Sequence, residues 1–266
     1  MPSLEQLPTL GVPTATPTGW RVWIGALADL VFPPFCAVCR ARLGDGRRDP
    51  LCGPCWTRLD RVRPPWCHVC GLAFGRLEAG ESPPAADGWR CGPCRARTPV
   101  FTYARSAAQY GGVARDALRA FKFGGNRALA APLGDLLVEL GLSSLPVAGP
   151  DLLLPVPLHP RRERARGFNQ ALLLSRRLGR AWRVPVRADL LARAAPTRPQ
   201  TELTAEERRA NVRNAFRLRR PEIIAGRHVI VVDDILTTGS TVAACAACLR
   251  AGGAATVGVL TVARAA

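Results

Sequence analysis

The chain has 266 residues, enough for one large domain or two ordinary ones. Hydrophobic residues make up 48% and charged residues 21%, a globular composition that excludes gross disorder and a membrane-embedded body. Thirty-seven Lys+Arg against 20 Asp+Glu leave +17, carried by 36 arginines and one lysine, Lys122.

Arginine-biased composition accounts for the Arg:Lys ratio, with most arginines solvated on helix faces. The net charge points instead to a polyanion: nucleic acid, a phosphate metabolite or an anionic membrane surface. Its placement is uneven. Residues 1–35 carry −1, 36–97 carry +5, 98–151 carry +1, 152–220 carry +12, and 221–266 are neutral. Most of the excess lies in one stretch of 69 residues, which composition bias alone does not explain.

Residues 1–19 are rich in Thr and Pro and read as a disordered tail. Residues 20–34 read as a short amphipathic helix, with Trp20, Trp23, Ile24, Leu27, Leu30 and Val31 on one side. Its apolar run is interrupted by Asp29 and lacks a basic leader, so it fits neither a signal peptide nor a membrane span. A cytoplasmic protein is expected.

Residues 35–97 contain eight of the ten cysteines as four CxxC pairs: Cys36/Cys39, Cys52/Cys55, Cys67/Cys70 and Cys91/Cys94. Each pair offers two thiolates on a tight knuckle, and tetrahedral zinc needs two knuckles, so four pairs make two sites. Disulfides, a redox CxxC and an iron–sulfur cluster fit less well, given the absence of an export signal and the repeated spacing. The intervals favour sequential pairing, Cys36, Cys39, Cys52 and Cys55 on one ion and Cys67, Cys70, Cys91 and Cys94 on the other; crossed pairing is the alternative. Large apolar residues are few in this region, so metal must supply much of its folding energy. Each quartet is complete without water or His68, which makes both zinc ions structural. Cys245 and Cys248 form a fifth CxxC in an Ala-rich helical run and read as small packing residues.

Residues 98–266 alternate apolar strand-like runs with helical periodicity. Strands are expected near 103–109, 151–155, 228–232 and 255–262, helices near 113–121, 128–141, 169–180 and 240–251, and a basic loop over 193–214. This order predicts an α/β domain with a mostly parallel sheet covered on both faces, whose ligands sit at the carboxyl ends of the strands. After Val229–Val232 come Asp233, Asp234, Ile235, Leu236, Thr237, Thr238, Gly239, Ser240 and Thr241. Small and hydroxyl-bearing residues opening a helix make a cradle for phosphate. The two acids beside it suit sugar hydroxyls or a divalent metal. Neither GxxxxGK[ST] nor a strand-borne GxGxxG occurs.

Val229–Thr241 resembles the thirteen-residue phosphoribosyl-pyrophosphate motif of type I phosphoribosyltransferases along its whole length. The resemblance assigns the ribose hydroxyls to Asp233 and Asp234 and the 5′-phosphate to Thr237, Thr238, Gly239, Ser240 and Thr241. The runs Leu153–Arg162, Arg166–Gln170, Thr201–Thr204, Arg208–Val212 and Ala215–Phe216, following cysteine knuckles, are similar to the ComF/GntX family of competence-associated proteins. That likeness spans residue 20 or so to the C-terminus. It implies a type I phosphoribosyltransferase-like domain after a double zinc ribbon, with His159, Arg161, Arg162 and Arg166 on pyrophosphate, where guanidinium forks match phosphate oxygens. The resemblance also makes Lys122 a further pyrophosphate contact and places Gln200 and Arg208 in a closing flap over 193–216. It further implies Mg²⁺ with phosphoribosyl pyrophosphate, or a related ribose phosphate as ligand, and a role in single-stranded DNA uptake beside a helicase and other competence machinery. The alternative is an active transferase in which a nitrogen acceptor displaces pyrophosphate. No nucleobase pocket is legible, and the basic stretch and knuckles equally suit a DNA backbone.

Overall fold

The computed structural model describes residues 35–44, 49–74, 88–193 and 215–265. The expected tail at 1–19, the helix at 20–34 and the flap residues Gln200 and Arg208 lie outside the described residues.

Two knuckle units come first. Each closes on a one-turn helix, α1 (Gly53–Thr57) and α2 (Gly92–Ala96), entered at the second CxxC pair with proline in its first turn. Proline suits that position because the N–H it lacks would have had no helical partner.

The chain then alternates: β1 (Tyr103–Gln109), α3 (Gly112–Phe123), α4 (Ala130–Leu140), β2 (Leu152–Pro155), α5 (Pro160–Arg166), α6 (Gln170–Trp182), β3 (Leu191–Arg193), β4 (Phe216–Leu218), β5 (His228–Leu236), α7 (Ser240–Ala251) and β6 (Thr256–Arg264). The main sheet runs β1-β6-β5-β2 and every pairing is parallel. Strand side chains alternate between its faces. Ile230, Val232, Leu260 and Val262 turn to a core shared with α3, α4 and α6, and Val229, Val231, Val257 and Val259 turn to one shared with α7. The continuous apolar runs that mark β5 and β6 in the sequence thus reflect burial on both faces. β3 and β4 make a separate antiparallel pair.

The knuckles are built onto this sheet. Val62 N–H donates to Ala107 O (3.0 Å), Gln109 N–H to Asp60 O (2.7 Å), and Ala104 N–H to Val69 O (2.7 Å). Residues 60–69 therefore satisfy the outer edge of β1. At Gly71, with φ +68°, a Cβ would overlap the Ala104 carbonyl oxygen, so glycine is what lets the second knuckle lie this close. Arg105, 3% exposed, spans the seam: its guanidinium donates to His68 O (3.1 Å) and lies 5.3 Å from the Trp66 ring centre.

Two local differences from the expected elements matter for the site. β5 continues through both acids to Leu236, because pairing with β6 (Asp233 opposite Thr261, Ile235 opposite Ala263) overrides the weak strand preference of aspartate. Residues 160–166, where no element is expected, form α5: Pro160 presets its first turn, the His159 ring accepts from Arg161 N–H (3.2 Å), and Gly167 ends it with φ +76°.

Candidate functional site

The eight knuckle cysteines gather into two groups, Cys36, Cys39, Cys52, Cys55 and Cys67, Cys70, Cys91, Cys94, each with all sulfurs within 4.8 Å of one another. The grouping is sequential. Sulfur–sulfur separations of 3.7 Å (Cys36–Cys55), 3.5 Å (Cys39–Cys52) and 3.6 Å (Cys70–Cys91) match the ~3.8 Å edge of a tetrahedron with Zn–S near 2.3 Å. Backbone N–H groups already face the sulfurs: Cys52 donates to Cys36 Sγ (3.4 Å) and Cys91 to Cys67 Sγ (3.3 Å). Burial raises the Cys36 thiol, but N–H groups of Cys39, Cys52 and Val38 outweigh it and hold it at about 6; similar donors hold Cys67 at about 7. These donor sets fit two zinc ions with no open ligand position. His68 is exposed and outside both groups. Cys245 is fully buried in the core around α7, as expected of a packing residue.

At the carboxyl end of β5, Asp234 is 7% exposed and Asp233 is partly exposed. Asp233 Oδ1 accepts from the Asp234 N–H (2.9 Å). Loss of water and the neighbouring Asp234 carboxylate push the Asp233 carboxyl up to about 7, against the pull of that N–H, Lys122 and Arg193. The Lys122 ammonium lies 2.9 Å from Asp234 Oδ2 with both side chains largely covered. Lys122 is thus brought to the acids from α3, 112 positions earlier in the chain.

Beyond the acids the chain turns through Thr237 and Thr238 into α7. Gly239 caps the helix with φ +74°, a conformation costly for any residue with a Cβ. Thr238 Oγ1 and Ser240 Oγ are 2.9 Å apart. A pocket is lined by Asp233, Ile235, Leu236, Thr237, Thr238, Gly239, Ser240, Thr241 and Val242. Hydroxyls, converging N–H groups and the positive helix end favour an anion in it.

Cations close the other side. β2 ends beside β5, with Val156 N–H donating to Val232 O (2.9 Å), so α5 follows directly at the same sheet end. Arg161 and Arg162 are exposed on α5, and His159 caps that helix through Nδ1. Arg166 is half-buried; burial lowers its pKa while Asp234 and Asp233 draw it back up. Its Nη1 donates to Gln170 Oε1 (2.8 Å).

Lys122, Arg166, Asp233, Asp234 and the 237–241 turn therefore share one sheet end. Two neighbours escaped the sequence reading. Arg193, at the end of β3 opposite Phe216, is lowered by burial and by Arg162 and raised by Asp233. Only its position at the start of the expected flap hinted at it. Phe123, next to Lys122, is exposed and sits under the Arg166 guanidinium, 5.4 Å from ring centre to carbon. Among the described residues, no helix is long and apolar enough to cross a membrane.

The chain is similar to several known families and proteins. Residues 27–95 match the model of the double zinc ribbon domain, and residues 166–266 that of the phosphoribosyl transferase domain. The DNA utilization protein YhgH of Escherichia coli K12 is 34% identical over 233 residues, covering 86% of this chain and 96% of that one. Competence protein F of Haemophilus influenzae is 30% identical over 210 residues, covering 77% and 86%. Among solved structures, the glutamine phosphoribosylpyrophosphate amidotransferase of Bacillus subtilis aligns with a TM-score of 0.34 and 20% identity, over 49% of this chain and 25% of that one. With two Cys₄ ribbons packed onto a parallel phosphoribosyltransferase-type sheet, and relatives matched over nearly their whole length, the chain belongs to the ComF/GntX family.

Proposed function

We propose that the protein binds phosphoribosyl pyrophosphate, or a closely related ribose phosphate, at the end of β5, and that it acts in the handling of single-stranded DNA during natural transformation. The observation that carries the first part is the contiguity of a carboxylate pair, a hydroxyl-lined turn and two partly buried cations, Lys122 and Arg166, at one sheet end. Thr237–Thr241 hold the 5′-phosphate through N–H and hydroxyl donors. Asp233 and Asp234 accept from the ribose hydroxyls. Lys122, bonded to Asp234 in the free protein, gives up that carboxylate and turns to pyrophosphate, which Arg161, Arg162 and Arg166 also meet. Gln200 and Arg208 approach on closure. Mg²⁺ accompanying pyrophosphate would neutralise its charge, and the carboxylate oxygens of Asp233 and Asp234 are the hard donors such an ion accepts.

The names of the relatives, DNA utilization protein and competence protein, support the second part. So does the +12 over residues 152–220, more positive charge than one pyrophosphate needs. A transferase that turns over is the second reading; the charged, partly enclosed sheet end favours it, since such a site positions reactants and stabilises a departing anion.

The deciding experiment measures both ligands on parent and variant. Phosphoribosyl pyrophosphate should bind the full chain and lose binding when Asp233 and Asp234 both become Asn, while a labelled single-stranded oligonucleotide stays bound. Absence of phosphoribosyl-pyrophosphate binding sinks the first part; absence of oligonucleotide binding at low salt sinks the second.

A further inference from the structure

Phe123 is 77% exposed, the highest value among the exposed large hydrophobic residues described. Single exposed apolar residues are ordinary on protein surfaces, so the exposure alone says little. Its surroundings say more. Successive residues of an α-helix point about 100° apart, and the last three of α3 use that rotation for three destinations. Phe121 is fully buried, its ring 5.5 Å from that of Phe168. Lys122 reaches Asp234 at 2.9 Å. Phe123 turns outward, and the Arg166 guanidinium lies over its ring at 5.4 Å. Arg166 is in turn steadied by Gln170, 2% exposed, at 2.8 Å. The aromatic ring is therefore one residue from the cation that touches the acid pair, and it is flanked by an anchored planar cation.

We propose that Phe123, with Arg166 beside it, is the stacking platform for a nucleobase carried in place of pyrophosphate at the anomeric carbon of the bound sugar. This rests on the ribose-phosphate reading of the β5 end and names the group that reading leaves undefined. The anomeric carbon is bonded to the carbon bearing the 2′-hydroxyl, so a substituent there emerges close to Asp233 and Asp234, beside Lys122 and Phe123. A base has a π-face that stacks on an aromatic ring or a guanidinium plane whatever its edge pattern. Phe123 has no hydrogen-bonding group to read that edge, so the platform accepts any base.

The test measures the affinity of the full-length, zinc-loaded protein for ribose 5-phosphate and for AMP by titration calorimetry in Mg²⁺ buffer. AMP should bind about tenfold more tightly than ribose 5-phosphate, as expected of one base stacked on one ring. Phe123→Ala should bring the ratio of the two affinities close to one, and Phe123→Trp should keep or raise it. Equal affinities in the parent protein, or a ratio unmoved by Phe123→Ala, would overturn the platform while leaving the sugar-phosphate site standing. If neither ligand binds, or if binding is indifferent to Asp233→Asn with Asp234→Asn, both the site and the platform fall.

Discussion

Replacing Asp233 by Asn should stabilise the protein at alkaline pH while removing its grip on a ribose hydroxyl. The ordinary carboxyl value is 3.8, and in the folded chain Asp233 is pushed up to about 7, first by burial and then by the Asp234 carboxylate. Because the folded value is the higher one, the native state holds its proton more tightly than the unfolded chain between those limits. Stability therefore falls as pH rises from about 4 to about 7 and levels off above. Three pH units correspond to ~4 kcal/mol; discounting for the partial exposure of Asp233 leaves about 2 kcal/mol at pH 8.5 and roughly half of that at pH 5.5. Asn fills the same space without the charge, and the Lys122–Asp234 pair keeps its partners. Thermal melts followed by circular dichroism at both pH values provide the assay. At pH 8.5 the midpoint should rise by about 4–8 °C, using ~2–4 °C per kcal/mol, with a smaller gain at pH 5.5. A variant no more stable than its parent at pH 8.5, or equally improved at both pH values, would falsify this account.

Further expectations follow from the same geometry. Lys122→Met leaves the Asp234 carboxylate, 7% exposed, without its ammonium and removes a cation from the sheet end, so phosphoribosyl-pyrophosphate affinity should fall tenfold or more by calorimetry. Elemental analysis should find two zinc ions per chain, falling to one in Cys91→Ser. Gly258 sits under the fully buried Tyr103, and a methyl group there would overlap the ring's Cζ and hydroxyl, so Gly258→Ala should lose roughly 2 kcal/mol or more in urea titrations. For oligonucleotide binding, changing Arg161, Arg162 and Arg166 together to Ala should flatten the log–log salt slope by about two, at ~0.7 per phosphate contact; an unchanged slope would place the DNA path elsewhere.

What the sequence reveals depends on whether the signal is local. The CxxC spacing identifies two complete metal sites because each knuckle is a four-residue unit. The bounds of α7 coincide with the expected Ser240–Ala251, since a glycine, two hydroxyls and an Ala-rich run mark its start and course. The acid pair and the 237–241 turn were legible for the same reason, as one unbroken run. Lys122 stood out as the sole lysine, yet its bond to Asp234 depends on α3 packing against the sheet, which periodicity alone does not place. Arg193 and Phe123 carried less signal still: the first is set by the β3–β4 pairing and the second by how α3 ends beside Arg166. α5 was hidden because a helix of seven residues is too short for apolar periodicity to mark it.

The way residues 60–69 pair with β1 was the least visible feature of all, since backbone hydrogen bonds leave no residue pattern behind. It also changes what the ribbons protect. An uncovered outer strand is a template for other chains, so a shortened protein that begins at Tyr103 would offer β1 to its neighbours and aggregate. Chelation that loosens the second knuckle, where Val69 holds Ala104 and Cys70 receives Arg264, would have the same result. Metal depletion in this protein should therefore be read first in light scattering. The ribbon and the sheet must be studied as one piece.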